Sequence, residues 1–296
     1  MTPPILHGHD SSRKWTMKVV LALGLLLIML VAASAVLAQD EEAKKKDDTG
    51  TNPINFTYDA RFYTETSWLP SDNSSLITNT FELRMPLGKT MANLTNQKQG
   101  LFNDLGSKNA FRLKYRYKSL NLDTGDGPNT NISGAGDLDI RYLHVPYVNN
   151  KFGIAGGIEA FFPTASNDAL GDGKIVLRPQ VFAGFFGLLG KKSIFVPGLL
   201  YLFDVGGDEH RAPVNQWQMD IYFVWLMAQM KHWLIINPQP VLDVENNKEF
   251  MIVDVEFGYM IPPLPGASIW LRPGAGVGAD RPFDWTFEFG FKFIWR

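Results

Sequence analysis

Hydrophobic and polar positions alternate along most of the chain beyond residue 53, with a period of two. The pattern is sharpest at the end. Trp285, Phe287, Phe289, Phe291, Phe293 and Trp295 fall on one side of an extended strand, and Thr286, Glu288, Gly290, Lys292 and Arg296 on the other, because successive side chains point to opposite faces. An aromatic face of this kind cannot be left to water. In a water-soluble protein it covers a core, and in a membrane barrel it faces lipid while the charged face lines an interior.

The same period predicts strands throughout. The first runs over about 54–68, with Ile54, Phe56, Tyr58, Ala60, Phe62 and Trp68 opposite Asn55, Asp59, Arg61, Tyr63 and Glu65. The second sets Ile77, Phe81, Leu83 and Met85 against Thr78, Thr80, Glu82 and Arg84. Residues 88–108 do not alternate and are expected as a long connection with room for a short helix. The third strand, 110–120, alternates Phe111, Leu113, Tyr115 and Tyr117 with Arg112, Lys114, Arg116 and Lys118. Four cations on one face need water or carboxylates opposite them.

A polar loop is expected over 121–136. Strand four follows, with Leu138, Ile140 and Tyr142 against Asp137, Asp139 and Arg141, and strand five covers 152–162 with Glu159 as its charge. Strand six opposes Ile175, Leu177, Val181 and Phe185 to Lys174, Arg178 and Gln180, and strand seven covers about 193–203. Strand eight places Trp217, Met219, Ile221, Phe223 and Trp225 opposite Gln216, Gln218, Asp220 and Tyr222. Strand nine, 233–242, is broken by Pro238 and Pro240, which leaves its register open. Strand ten sets Met251, Val253, Val255, Phe257 and Tyr259 against Asp254 and Glu256, and strand eleven sets Ile269 and Leu271 against Trp270 and Arg272.

With the terminal strand this makes about twelve, an even number that puts both termini on one side of a transmembrane antiparallel up-and-down β-barrel. Connections after strands four, six, eight and ten are short, and those after three, five, seven and nine are mostly longer and more polar. That is the two-rim pattern of such barrels. The segment 88–108 departs from it, as a periplasmic helix, a plug or a miscounted strand.

Composition fits the same picture. Hydrophobic residues are 45% of the 296, low for a helical membrane protein but natural where half of each spanning strand is polar. The absence of cysteine removes disulfides, thiol nucleophiles, thiolate metal sites and a lipid-modified N-terminal cysteine. A net charge of −2 without a basic patch gives no reason to expect nucleic acid.

The N-terminus reads as a secretory signal. Val19 to Ala38 carries no charge, follows Arg13, Lys14 and Lys18, and ends in small residues ahead of Gln39, so cleavage is expected after Ala38. A retained anchor is the rival, since the run is long enough to span a bilayer. Met17 is an alternative start. The expected organisation is therefore a signal peptide at 1–38, a charged disordered periplasmic linker at 39–52 and the barrel at 53–296.

Candidate chemistry lies on the polar faces. The lumen-lining candidates are Arg61, Arg84, Arg112, Lys114, Arg116, Arg141, Glu159, Arg178, Asp220, Asp254, Glu256, Arg272 and Glu288. They either pair across strands and hold the barrel together, or form a permeation path in which the row from Arg112 to Lys118 attracts anions. Pairing is favoured, because about twelve strands enclose a narrow interior. No catalytic, cofactor or metal site is expected. His210 stands beside Asp208 and Glu209 in a loop, which is weak evidence for hydrolysis. Asn131, Asp137 and Asp139, and separately Asn167, Asp168 and Asp172, offer oxygens for calcium, but their spacing matches no calcium loop and turn chemistry accounts for them.

The terminal strand from Trp285 to Arg296 resembles the C-terminal strand of bacterial outer-membrane proteins, which the assembly machinery recognises, although that family stops on the aromatic and here Arg296 follows it. The segment Gly134-Ala135-Gly136-Asp137-Leu138, the glycine-rich stretch from Gly153 to Phe162, Pro163-Thr164 and Gly171-Asp172-Gly173 resemble the outer-membrane family named for the MetA pathway of phenol degradation. Ala165 replaces that family's glycine after Pro-Thr. The resemblance covers about 134–179 and implies an outer-membrane barrel that passes small, often hydrophobic or aromatic, compounds. It assigns no site residues.

Together these observations lead to the expectation of a bacterial outer-membrane β-barrel. Its partners are outer-membrane lipid, the assembly machinery and a small solute, and it acts as a passive channel or transporter. The alternative is a structural or ligand-binding barrel with a closed, salt-bridged lumen.

Overall fold

The computed structural model describes residues 56–70, 73–87, 109–123, 125, 129–228 and 231–295. The expected signal peptide, the linker, the start of the first strand, the 88–108 connection and Arg296 lie outside the described residues. The described strands are β1 (Tyr58–Trp68), β2 (Ser75–Pro86), β3 (Asn109–Leu122), β4 (Thr130–Ala135), β5 (Leu138–Val148), β6 (Phe152–Phe162) and β7 (Lys174–Phe186). They continue with β8 (Ser193–Gly207), β9 (Asn215–Met227), β10 (His232–Asp243), β11 (Lys248–Met260), β12 (Ala267–Val277) and β13 (Trp285–Trp295).

Each strand pairs antiparallel with its neighbours, and the sheet closes where β1 meets β13, from Tyr58 opposite Trp295 to Trp68 opposite Trp285. The result is a closed antiparallel barrel of 12 staves. It has 12 rather than 13 because β4 and β5 are halves of one stave, both paired with β3. Between the pairs Tyr117–Ala135 and Lys114–Asp139 two residues of β3 face three of the other stave, a β-bulge at Gly136 to Leu138. Closure pairs every stave on both sides along its length, except at β4, which reaches past the end of β6 and is paired with β3 alone.

Three expectations need correction. The stretch 121–136 is not all loop, since Thr130–Ala135 continues the stave. Its residues are small or polar apart from Ile132, so period-two hydrophobicity does not reveal it, whereas backbone pairing with β3 needs no apolar face. Likewise β8 runs to Gly207, beyond the end at about 203. And β10 is unbroken: its ladder to β11 is continuous through Pro238 and Pro240. The two prolines are two residues apart and direct their missing donors to the same neighbour. That neighbour is β9, whose ladder skips from Ile236–Phe223 to Val241–Gln218 without a change of register.

The rim at which β1 begins and β13 ends (the terminal rim) has the tight connections 149–151, 187–192 and 261–266, while 163–173, 208–214 and 278–284 close the far rim. The loop 244–247, after β10, is a short one on that far rim.

On β13 the alternation appears as written. Phe287, Phe289 and Phe291 are 44%, 51% and 39% exposed on the outside, while Glu288 and Lys292 are each 2% exposed inside. Outward aromatics also pack in a band near the terminal rim, with ring centroids 5.1 Å apart for the tilted pair Phe152–Phe185, and 5.9 Å and 4.9 Å for the stacked pairs Phe185–Phe195 and Phe195–Phe223.

The inner face is less uniform than period-two chemistry predicts. Near the terminal rim Leu143, Val145, Ala155, Phe182, Val196, Val224, Ile235 and Trp233 turn inward and pack with Trp270 into an apolar cluster inside the barrel. Phe56, just before β1, packs against it. On β6 to β10 the terminal-rim half of the staves is apolar on both faces, whereas on β1, β2 and β13 the inward charges Asp59, Arg61, Arg84 and Lys292 continue toward the same rim.

Candidate functional site

The belt of inward charges surrounds a cavity of about 330 Å³. Of the predicted lumen residues, Arg61, Arg84, Arg112, Lys114, Arg141 and Arg178 line it from β1, β2, β3, β5 and β7, and Asp220, Asp254, Glu256 and Arg272 from β9, β11 and β12. Arg116, Glu159 and Glu288 stand behind the wall as partners of these groups.

The charges are organised as clusters that bridge staves. Asp59 holds Arg61 at 2.7 Å; Glu82 lies 3.8 Å from Arg61, binds Arg84, and receives Lys114 Nζ at 3.5 Å. In a second cluster Arg112 lies 3.2 Å from Asp139 and binds Glu159, Arg116 reaches Asp139 at 2.5 Å, and Arg178 Nε donates to Glu159 at 3.1 Å. Across the lumen Arg272 donates to Glu256 at 3.0 Å and to Glu288 at 3.2 Å. Two indoles complete that group: Trp233 Nε1 donates to Glu256 at 2.6 Å and Trp270 Nε1 to Glu288 at 2.5 Å.

The indoles lie flat because glycine faces them. A Cβ on Gly290 would come within 2.1 Å of the Trp270 ring, and one on Gly258 within 1.8 Å of Trp233. Lys292 then sits over Trp233, its Nζ 4.7 Å from the ring centre.

Most predicted lumen charges are therefore paired, as narrowness requires, since a buried charge is tolerable only with a partner. The two walls are not equivalent, however. Asp220 and Asp254 have no cation at ion-pair distance among the described residues; amides serve them instead, with Gln218 donating to Asp220 at 2.7 Å and Gln239 to Asp254 at 2.8 Å. On the β3–β7 side the imbalance is reversed, with Arg112, Arg116, Arg141 and Arg178 around Asp139 and Glu159. The cavity has a cationic wall, an amide-buffered acidic wall and an apolar floor.

A list of charges misses the floor (Leu143, Phe182, Ile235 and Trp270) and the neutral wall residues Tyr63, Tyr222 and Asn237, all of which line the cavity. Strand parity alone places Tyr63, Tyr222 and Trp270 inside, so that signal was present.

Asp137 does not act as a lumen charge. Its carboxylate accepts from Ala165 N at 3.1 Å and from Asp172 N at 2.7 Å, anchoring the 163–173 loop to the bulge. Gly171 is needed there, because a Cβ would lie 2.6 Å from Asp137 Oδ1. Thr164 Oγ1 accepts from Leu138 N at 3.0 Å. The motif Gly134 to Leu138, Pro163-Thr164 and Gly171 thus folds into one structural joint.

Asn167 caps the short 3-10 turn Asp168–Leu170 through Ala169 N. Among the described residues no group of three or more His, Asp or Glu side chains is arranged to hold a metal ion. His210 N donates to Asp208 at 2.9 Å, His144 Nδ1 lies 2.9 Å from Asn109 Oδ1, and His232 stacks on Tyr259 at 4.9 Å.

No family model matches the chain, and no curated protein is similar to it in sequence. Among solved structures, the chain is similar to the COG4313 outer membrane channel from Pseudomonas putida F1, with 12% identity, 86% of this chain and 100% of that one covered, and a TM-score of 0.60. It is also similar to the KdgM porin (7% identity, 80% and 99% covered, TM-score 0.47) and the NanC porin (9%, 80% and 98%, TM-score 0.49). The likeness to the first is one of fold: an outer-membrane-type barrel.

Proposed function

We propose that the chain is a bacterial outer-membrane barrel that acts as a passive channel for small solutes, including hydrophobic or aromatic ones. The observation that carries this reading is the cavity enclosed by a closed barrel, lined by charge on two walls and by aromatic and aliphatic side chains on its floor. The fold shared with an outer membrane channel and the resemblance over 134–179 point the same way. The aromatic outer face takes up lipid. Residues 1–38 are removed on export, and the strand from Trp285 to Arg296 is what the assembly machinery engages.

The experiment is single-channel recording of the purified chain in planar bilayers, paired with liposome swelling in sugars, amino acids and aromatic acids. Discrete steps with solute-dependent swelling are expected. Silence across salts and voltages, with no swelling, overturns it.

A second reading, a structural or ligand-binding barrel with a closed lumen, draws on the ion-paired belt and on the apolar cluster filling the terminal-rim half. The same recordings separate the two.

A further inference from the structure

Arg141 sits on the inner face of β5, where the charged belt meets the apolar floor. Its cross-strand partners are Arg112 on β3 and Glu159 on β6. Glu159 directs its oxygens elsewhere, one bonded to Arg112 and the other to Arg178. Asp139, the next acid on the same strand, is ion-paired with Arg112 and Arg116 rather than with Arg141. Four guanidiniums thus share two carboxylates. Among the described residues Arg141 alone of the arginines has no carboxylate at ion-pair distance, and its Nε is buried without a hydrogen-bond partner.

A guanidinium held in that state beside other cations is costly unless something supplies the missing acceptor. The surroundings limit what that can be. Arg112, Arg141 and Arg178 all line the cavity, so an anion there meets several forked donors suited to a planar oxyanion. Two residues along β5, Leu143 turns into the apolar cluster with Phe182 and Ile235. The acidic wall bearing Asp220 and Asp254 repels a second negative charge. At about 330 Å³ the cavity lies at the small end of the ligand-site range of about 300–1,000 Å³.

We propose that Arg141 is the anion-binding group of this cavity and that its ligand is a small organic monocarboxylate with an apolar body, the carboxylate on Arg141 and the body on Leu143, Phe182 and Ile235. This names a solute class for the same cavity and rests on the channel reading for its transport consequence.

The test is equilibrium dialysis of labelled benzoate against the full chain in detergent micelles, with micelle blanks and with benzyl alcohol as the uncharged counterpart. Benzoate is expected to bind once per chain, with benzyl alcohol weaker by at least about tenfold, as loss of a charge-assisted hydrogen bond implies. Arg141→Gln is expected to weaken benzoate by a similar factor, and Arg141→Lys, which keeps the charge but loses the fork, by less. Equal binding of the two probes, or unchanged benzoate binding in R141Q, overturns the site. If R141Q does not fold, Arg141→Met takes its place, and unchanged benzoate binding in that variant overturns the site. Bilayer silence with Arg141-dependent binding overturns the channel and leaves the site. Conducting channels without that binding do the reverse.

Discussion

Arg112 on β3 and Glu159 on β6 are bonded to each other over the intervening stave β5. Glu159 is fully buried and also accepts from Arg178 on β7, so one carboxylate ties together a run of neighbouring staves. Removing its charge leaves Arg178 without a carboxylate and Arg112 with Asp139 alone. Glu159→Gln, which keeps the shape, is expected to destabilise the barrel by about 3–5 kcal/mol, the range for breaking a buried pair. Urea unfolding of the chain refolded into lipid vesicles measures it. A loss under about 1 kcal/mol would mean that water in the lumen screens the cluster as it does surface pairs.

Asp137 makes a local prediction. Its two oxygens each hold a backbone N–H of the 163–173 loop, and such bonds contribute about 1.5–3 kcal/mol where one partner is charged. Asp137→Ala should therefore loosen that loop while β9 to β13 stay as they are. Hydrogen exchange reads this directly: faster exchange confined to 163–173 is expected, with Asp137→Asn intermediate. Uniform acceleration over the whole barrel would show that the joint supports the fold rather than the loop.

The inward glycines carry a third. Trp270 lies over Gly290 and donates to Glu288, the residue two before it on β13. Gly290→Ala puts a methyl group within the indole's space, and overpacking of this kind costs about 1–3 kcal/mol. Because the displaced indole also loses its acceptor, the tryptophan emission should shift along with the loss of stability. An unchanged spectrum at unchanged stability would mean that the ring moves aside freely.

How far the barrel was legible in the chain depended on whether each stave is two-faced. On β3 and β13 alternating aromatics and charges mark inside and outside residue by residue, and the structure follows them. On β8 the run Ile194-Phe195-Val196-Pro197 is apolar on both faces, since the lumen on this side of the terminal-rim half is itself apolar, and periodicity cannot say which side is which. Thr130–Ala135 is hidden for the opposite reason, having a single large apolar side chain, Ile132, and so no apolar face. Prolines mislead in β10, because a ladder can lose its donors toward one neighbour and remain whole toward the other. For the cavity, the charged residues were readable from parity, but their pairing was not: that Glu159 serves Arg112 and Arg178 and leaves Arg141 aside depends on side-chain reach across staves.

The aromatic outer face yields the prediction on which the membrane reading turns. Phe289 is near the middle of β13, opposite Thr64 on β1 and Leu271 on β12, and it is half exposed on the outside. If hydrocarbon surrounds it, Phe289→Arg places a cation near the bilayer midplane, where the cost is about 2–4 kcal/mol. Trp295→Arg, at the end of the same strand and on the same face, places one near the interface, where the cost falls to about 0–1 kcal/mol. The comparison matters more than either value, because both changes remove a large aromatic from one strand and differ mainly in depth. Reversible unfolding of each variant from phospholipid vesicles measures the two. A clear excess for Phe289→Arg is expected, and equal costs would place that face in water or against protein, since neither environment has a depth to read.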